Sequence, residues 1–360
     1  MGSNPRSQPN ELGHIISLGE PKLIITSADA LPTVLETSAG RGMHPSQVCL
    51  LDVSAPDYVT QLLQSGSLAH PWMISSLLPN SEAGVYHRNF AHLLAYGEND
   101  WVAFNNEAIA KSTPAAMYST SGTGGLPKAA FLSHHTMVSH HLSIQYEPPY
   151  HITRLLSLPF FHMFGALWAH LFTVRYGQPL FILPRFELTQ FIAAVYQYQI
   201  TETYMVPAMV QVFNQNAGPM ANLLSPLRYV GVAGAPIDAA SMSQFQNLLH
   251  PLATAGQLWG MTETGVVFQN RYGERDEPGS IGRQLPGYEV RLVSRDGQVV
   301  TADNVGGELY IRGSGLLMNY KNRDDAKEAN GWFRTGDVAC VRNGRYFIVG
   351  RTKELIKVRG

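Results

Sequence analysis

Residues Tyr118–Phe131 read YSTSGTGGLPKAAF: three glycines, several serine and threonine hydroxyls and one lysine set between apolar residues. Closely spaced glycines let backbone N–H groups turn toward one point, and such a nest attracts a phosphate. The hydroxyls and the Lys128 ammonium add donors. The pattern GxxxxGK[ST] is not met, because Lys128 lies between Pro127 and Ala129 and no metal-binding hydroxyl follows it. The stretch is therefore a phosphate cradle of another kind, or a glycine-rich turn that serves packing alone.

Upstream, PKLIIT (21–26) and SQVCLLDV (46–53) are short apolar runs on either side of a helix-like segment, ADALPTVLETSAGRG (28–42). Downstream, TETYMVPAMVQVFNQ (201–215) reads as a strand leading into a helix. LRYVGVAGAPI (227–237) reads as a strand ending in a glycine-rich turn, followed by the helix DAASMSQFQNLLH (238–250). Such alternation predicts an α/β fold, parallel strands with crossover helices. After about Gly273 the texture changes to short strands with Gly and Asp turns, as in GYEVRLVSRDGQVV (287–300), GGELYIRGSGLLMNY (306–320) and GRYFIVGR (344–351). The expected organisation is an α/β part over 1–272, a β-rich subdomain over 273–350 and a short basic segment over 351–360.

The chain has 360 residues, 45% hydrophobic and 15% charged, with net charge −1. This length and apolar content support a large buried core and exclude a disordered chain. The near-zero charge gives no basis for steering to nucleic acid or an anionic membrane. Cys49 and Cys340 are far apart and lack partners at metal spacing, so neither a disulfide scaffold nor a zinc site is indicated. The start lacks the apolar run of a secretory signal and the end, KVRG, is no peroxisomal or prenylation signal. A cytoplasmic location is the default expectation, with the peroxisome left open. LLSLPFFHMFGALWAHLFTV (155–174) carries no Asp, Glu, Lys or Arg, but Pro159, His162 and His170 interrupt it and no basic or aromatic belt flanks it. It is expected to be a buried strand, turn and helix rather than a membrane span.

The ordered series SGTGGLPK (121–128), LPFFHMFG (158–165), GQLWGMTETG (256–265), GWFRTGDVA (331–339) and GRTKELIKVRG (350–360) resembles the adenylate-forming superfamily. That family includes acyl- and aryl-CoA ligases of the coumarate–CoA ligase type, firefly luciferase and the adenylation domains of peptide synthetases. The resemblance implies that a carboxylate attacks the α-phosphate of ATP, pyrophosphate leaves, and a thiol then takes the acyl group from acyl-AMP. Since the substrate supplies the nucleophile, the protein must position two anions and offset developing phosphate charge. N–H nests, hydroxyls, lysine and Mg²⁺ do this, rather than a catalytic triad.

Carried over residue by residue, the resemblance places Ser121, Gly122, Thr123, Gly124, Gly125 and Lys128 around the β- and γ-phosphates. Gly124 stands where a second hydroxyl is usual, and Ala129 where Gly is usual. His162 and Phe164 would line the acyl pocket, although a lone histidine on an apolar segment is otherwise more often a core residue. Gly234, Ala235 and Pro236 would border adenine, or simply form a turn after a strand. Trp259, in place of the usual Tyr, would stack on adenine beside Gly260 and Met261. Thr262 would contact the α-phosphate and Glu263 would carry Mg²⁺. Asp337 and Arg351 would hold the ribose, and Lys353 would be the hinge of a rotating C-terminal domain. Lys357 and Arg359 would face the thiol half-reaction, or form a solvated strand end. Lys128, Thr262, Glu263 and His162 are the expected catalytic set. Gly231, Gly256, Met261 and Val266 join His162 and Phe164 as expected pocket residues.

The implied co-substrates are ATP, a small carboxylic acid and coenzyme A or a carrier-protein thiol. No aspartate stands in LPFFHMFG to hold a substrate ammonium, which favours a plain acid over an amino acid. Family members continue into a C-terminal domain of roughly a hundred residues, an ordinary small-domain size. That domain carries the lysine that bridges acid and α-phosphate. The sequence contains no such segment, so it is expected to be the large domain, N-terminally incomplete. A non-catalytic nucleotide-binding remnant and, less favoured, a peptide-synthetase adenylation domain are the alternatives.

Overall fold

The computed structural model describes residues 1–51, 88–90, 93, 97, 100–120, 127–144, 146–216, 218, 222–274, 278–323 and 326–353. The chain divides into two compact units, one over Ser3–Asn105 and one over Asn106–Gly360.

In the first unit, parallel strands β1 (Ile24–Thr26), β2 (Val48–Leu50) and β3 (Arg88–Asn89) form a small sheet. The helix Pro9–Gly19 starts on proline, which suits a first-turn position without a partner for its N–H. The helix Leu31–Ala39 separates β1 from β2, as the apolar runs predict.

The second unit opens with the antiparallel hairpin β4 (Pro114–Thr120) and β5 (Lys128–Ser133), in which Thr120 pairs with Lys128. The helix His134–Ile144 follows. The main sheet contains β6 (Arg154–Leu156), β7 (Leu180–Ile182), β8 (Glu202–Met205), β9 (Tyr229–Val232), β10 (Thr254–Met261), β11 (Gly265–Gln269) and β12 (Arg283–Gln284). Their order is β12-β11-β10-β9-β8-β6-β7; β7 through β10 pair in parallel and β11 and β12 antiparallel. β8 and β9 are buried at every position, the signature of strands covered on both faces. Phe191, Ile192, Ala194 and Val195 are the buried side of the helix Leu188–Gln197, whose N-terminus Glu187 caps by accepting from the N–H groups of Thr189 and Gln190 at 3.0 and 2.8 Å.

From β6 the chain steps out to β7 and then returns to the other side for β8. This reversal leaves a crevice at the carboxyl ends of the parallel strands, where open α/β sheets take their ligands. The charge-free stretch 155–174 is a strand, a turn and a helix running Met163–Ala166, Leu167–Phe172 and Thr173–Tyr176, its middle turn π-helical. Among the described residues no helix is long and apolar enough to cross a membrane. Beneath it Arg154 and Glu202, each 1% exposed, pair at 2.8 Å, with Gln178 and Tyr150 completing their hydrogen bonds.

The second sheet is antiparallel throughout: β13 (Tyr288–Val293), β14 (Val299–Val300), β15 (Gly307–Gly313), β16 (Phe333–Arg342) and β17 (Arg345–Arg351), in the order β14-β13-β15-β16-β17. The β-rich texture after Gly273 is thus this sheet, although β12 within it completes the main sheet. Two backbone bonds join the sheets, Ile281 N to Tyr346 O at 2.9 Å and Tyr346 N to Gly282 O at 3.1 Å.

Candidate active site

A cavity of about 620 Å³ opens at the carboxyl ends of the parallel strands. His162 and Phe164 reach it from the turn after β6, Ala233 and Gly234 from the end of β9, and Met261, Thr262 and Glu263 from the end of β10. Lys128 and Thr120 enter from the β4–β5 hairpin, and Gly336, Arg351 and Lys353 from the antiparallel sheet. Among the described lining residues are five cations, Lys128, Arg323, Arg334, Arg351 and Lys353, against the single carboxylate of Glu263. That balance suits an anionic ligand.

Glu263 is buried, and desolvation raises its carboxyl above the ordinary value; the Tyr320 hydroxyl and the Lys128 charge oppose the shift. Tyr320 donates to Glu263 Oε1 at 2.8 Å, and the Lys128 ammonium lies 4.7 Å from the centre of the Tyr320 ring. The turn that presents Thr262 and Glu263 is rigidly held. Thr264 Oγ1 accepts from Met261 N at 3.1 Å, Tyr288 donates its hydroxyl to Thr264 O at 2.6 Å, and Leu317 N donates to Glu263 O at 2.7 Å. Gly265 has φ +64°, and a Cβ there would lie 2.5 Å from His140 Nε2. The same ring nitrogen sits 2.7 Å from Gly315 O.

His162 caps the helix that begins at Met163: its Nδ1 accepts from Phe164 N at 3.2 Å. Burial lowers its pKa, so the neutral imidazole dominates with its proton on Nε2. Met163, Phe164, Leu167, Leu258 and Val266 add an apolar lining.

Of the remaining expected residues, Ala235 and Pro236 continue outward from Gly234 as exposed positions and do not line the cavity. Gly231 and Gly256 are register partners within the main sheet and also stand off the cavity wall. A Cβ on Gly231 would come within 2.6 Å of Leu258, and one on Gly256 within 3.0 Å of Asn270, so both serve close packing. Trp259 and Asp337 stand off the wall as well: the indole N–H donates to Asp337 Oδ2 at 3.0 Å, while Arg351 Nε donates to Oδ1 at 2.9 Å. Ser121, Gly122, Thr123, Gly124 and Gly125 lie outside the described residues, as do Lys357 and Arg359. Sequence reasoning missed Tyr320, Tyr288 and His140. Tyr320 ends an apolar segment, GLLMNY, in which a tyrosine reads as core.

The chain matches the family model of AMP-binding enzymes over residues 1–321. It is 49% identical over its whole length to a nicotinic acid–CoA ligase of Penicillium canescens and to another of Aspergillus fumigatus, covering 65% and 62% of those proteins. It is 44% identical, again over its whole length, to an acyl-CoA ligase of Aspergillus oryzae, covering 65% of it. The chain therefore spans just under two thirds of the length of these relatives. In structure it is similar to ATP-bound MatB from Rhodopseudomonas palustris, with a TM-score of 0.76 and 22% identity over 98% of this chain and 64% of that one. A luciferase-like enzyme from the mealworm Zophobas morio gives a TM-score of 0.76 and 20% identity over 98% of this chain and 77% of that one. The α/β sheet followed by an antiparallel sheet is the fold expected from the ordered motifs, and with the match over residues 1–321 the chain belongs to the AMP-binding enzyme family.

Proposed function

We propose that the protein containing this chain is an acid–thiol ligase, which activates a carboxylic acid with ATP and passes the acyl group to coenzyme A. One observation carries this reading: a single cavity brings Lys128, Thr262 and Glu263 together with the apolar set Met163, Phe164, Leu167 and Val266. Polyphosphate and acyl group need these two kinds of surface side by side. In the first step a carboxylate oxygen of the acid attacks the α-phosphorus, the bond to the bridging oxygen breaks, and acyl-AMP and pyrophosphate form. In the second, a thiolate sulfur attacks the acyl carbon and AMP leaves with the electron pair of the cleaved C–O bond.

Lys128 and the Thr262 hydroxyl offset charge on the phosphates, and the rigid Met261–Gly265 turn keeps Thr262 in place without reorganisation. Glu263, the carboxylate among the described lining residues, would serve as a Mg²⁺ ligand, since Mg²⁺ commonly takes one carboxylate plus phosphate and water oxygens. Bound there, Mg²⁺ would withdraw charge from the phosphoryl oxygens. Lys353, which lines the cavity two residues after Arg351, would serve as the hinge between the half-reactions.

For the acid we propose an aromatic or heteroaromatic monocarboxylate. The names of the two relatives at 49% identity support it, as do an apolar lining with one neutral histidine and the absence of aspartate among the described lining residues. Pyrophosphate–ATP exchange by the full-length protein tests the reading. Exchange driven by nicotinic or benzoic acid supports it. Exchange driven by amino acids, or AMP binding with no acid-dependent exchange, contradicts it and turns to the peptide-synthetase or non-catalytic alternative respectively.

A further inference from the structure

Two of the five cations among the described lining residues, Arg323 and Arg334, have no part in the reading above. Arg334 pairs with Glu308, Nε to Oε1 at 3.3 Å and Nη2 to Oε2 at 2.7 Å, so a carboxylate already offsets its charge. Arg323 is placed differently, on the hairpin side of the cavity with Lys128. The segment 318–321 adds a third strand to the β4–β5 hairpin. Phe131 N donates to Asn319 O at 3.0 Å, Met318 N to Phe131 O at 2.8 Å and Lys321 N to Ala129 O at 2.8 Å. Tyr320 is therefore the partner of Ala130, and its ring meets Lys128 diagonally, two residues away on β5.

The strand then turns back on itself. Arg323 N donates to Tyr320 O at 3.1 Å, closing a four-residue turn whose third residue, Asn322, has φ +61°. Asparagine takes this conformation more readily than other residues that carry a side chain, so the turn YKNR (320–323) is encoded locally. It fixes the Arg323 backbone beside Tyr320, while the residue itself stays exposed on the cavity wall. One corner thus carries the Lys128 ammonium, the Arg323 guanidinium and, through the Tyr320 hydroxyl, the Glu263 carboxylate. The apolar set Met163, Phe164 and Leu167 enters instead from the turn after β6 and the helix that follows.

We propose that Arg323 is a catalytic residue for the departure of pyrophosphate. Its guanidinium binds the β- and γ-phosphates beside Lys128 and offsets the charge that develops on them as the bond from the α-phosphorus to the bridging oxygen breaks. This rests on the acid-activation reading of the cavity given above. In-line displacement puts the leaving oxygen on the far side of the α-phosphorus from the attacking carboxylate, so pyrophosphate leaves toward the cations and away from the acid. A guanidinium presents a planar fork of donors that meets two phosphate oxygens at once, whereas an ammonium acts as a point charge. Arg323 has no task in the second half-reaction, because pyrophosphate has left before the thiol attacks.

The test separates the half-reactions in the full-length protein, as wild type, Arg323→Gln and Arg323→Lys. Pyrophosphate–ATP exchange is measured with nicotinic and benzoic acids, and thioester formation is measured from the corresponding synthetic acyl-AMP and coenzyme A. Arg323→Gln is expected to slow exchange about tenfold to a hundredfold, the value of hydrogen bonds between charged groups, and to raise KM for pyrophosphate. KM for the acid and the rate of the thioester step are expected to stay at the wild-type values. Arg323→Lys restores the charge without the fork and is expected to recover part of the loss. Exchange as fast as wild type in Arg323→Gln overturns the proposal. Equal slowing of both half-reactions marks a merely structural role and overturns it too. A raised KM for the acid with none for pyrophosphate places Arg323 at the acid and overturns it as well. Wild-type protein without acid-dependent exchange overturns the acid-activation reading itself, and this inference with it.

Discussion

Tyr320 and Glu263 are 57 residues apart in sequence, yet the Tyr320 hydroxyl donates to Glu263 Oε1 at 2.8 Å. The bond orients the one carboxylate among the described residues of the cavity wall, and the Lys128 ammonium rests over the same tyrosine ring. Tyr320 thus links two groups that the proposed chemistry uses, Lys128 and Glu263. Tyr320→Phe keeps the ring under Lys128 and removes only the hydroxyl. It is expected to lower the rate of pyrophosphate release by about tenfold, as loss of one hydrogen bond to a charged group implies. Tyr320→Leu, which removes both contacts, is expected to fall further. A Phe variant as fast as wild type contradicts this role.

Glu263 also makes a prediction about pH. A carboxyl whose folded pKa is raised binds more protons in the native state than in the unfolded state between the two values. Native stability therefore falls as pH rises from the ordinary 4.5 through the raised value. Glu263→Gln removes this cost and still accepts from Tyr320. It is expected to melt above wild type at pH 7, with the gap closing as pH drops below 4.5. The same variant is expected to lose activity on the order of a hundredfold. A lower melting temperature at pH 7 refutes the burial argument.

Gly265 ties the turn to its support. Gly265→Ala places a methyl against the His140 ring in a backbone region that favours glycine, since φ is +64° and the nearest ring atom is 2.5 Å from the added carbon. Strain and overpacking together are expected to cost about 2–4 kcal/mol in urea unfolding. A cost under about 0.5 kcal/mol, an ordinary surface value, is inconsistent with this packing.

His162 has two separable duties, capping the helix at Met163 and lining the cavity. Asparagine preserves a capping oxygen, whereas alanine removes it at a cost of about 1 kcal/mol. His162→Asn is expected to match wild type in stability while raising KM for the acid; His162→Ala is expected to lose both. Equal KM for the acid in all three proteins excludes a substrate contact.

Much of this was legible in the sequence because it rests on local pattern. The alternation around PKLIIT and SQVCLLDV, the strand-to-helix step at Val206–Pro207, and the texture after Gly273 each follow from periodicity and turn residues. The residues grouped by motif order, Lys128, His162, Thr262, Glu263, Arg351 and Lys353, meet at one cavity because each stands at or just beyond a strand end or caps a helix there. What could not be read depends on long-range packing. A glycine in a strand is equally compatible with ligand approach and with close neighbours, and Gly231 and Gly256 take the second course. Trp259 sits at a register shift between β10 and β11, where alternation no longer tells which face a side chain takes. Tyr320 and His140 act through partners 57 and 175 residues away, and nothing local marks them.

The most direct measurement is trapping of the activated acid. The full-length protein is supplied with ATP, Mg²⁺, hydroxylamine and a panel of aromatic, heteroaromatic and aliphatic acids, and acyl hydroxamate is quantified beside a Thr262→Ala, Glu263→Gln double variant. ATP-dependent hydroxamate from an aromatic or heteroaromatic acid, lost in the double variant, is the predicted result. No hydroxamate from any acid, or equal yield from the variant, would contradict the assignment of this cavity to acid activation.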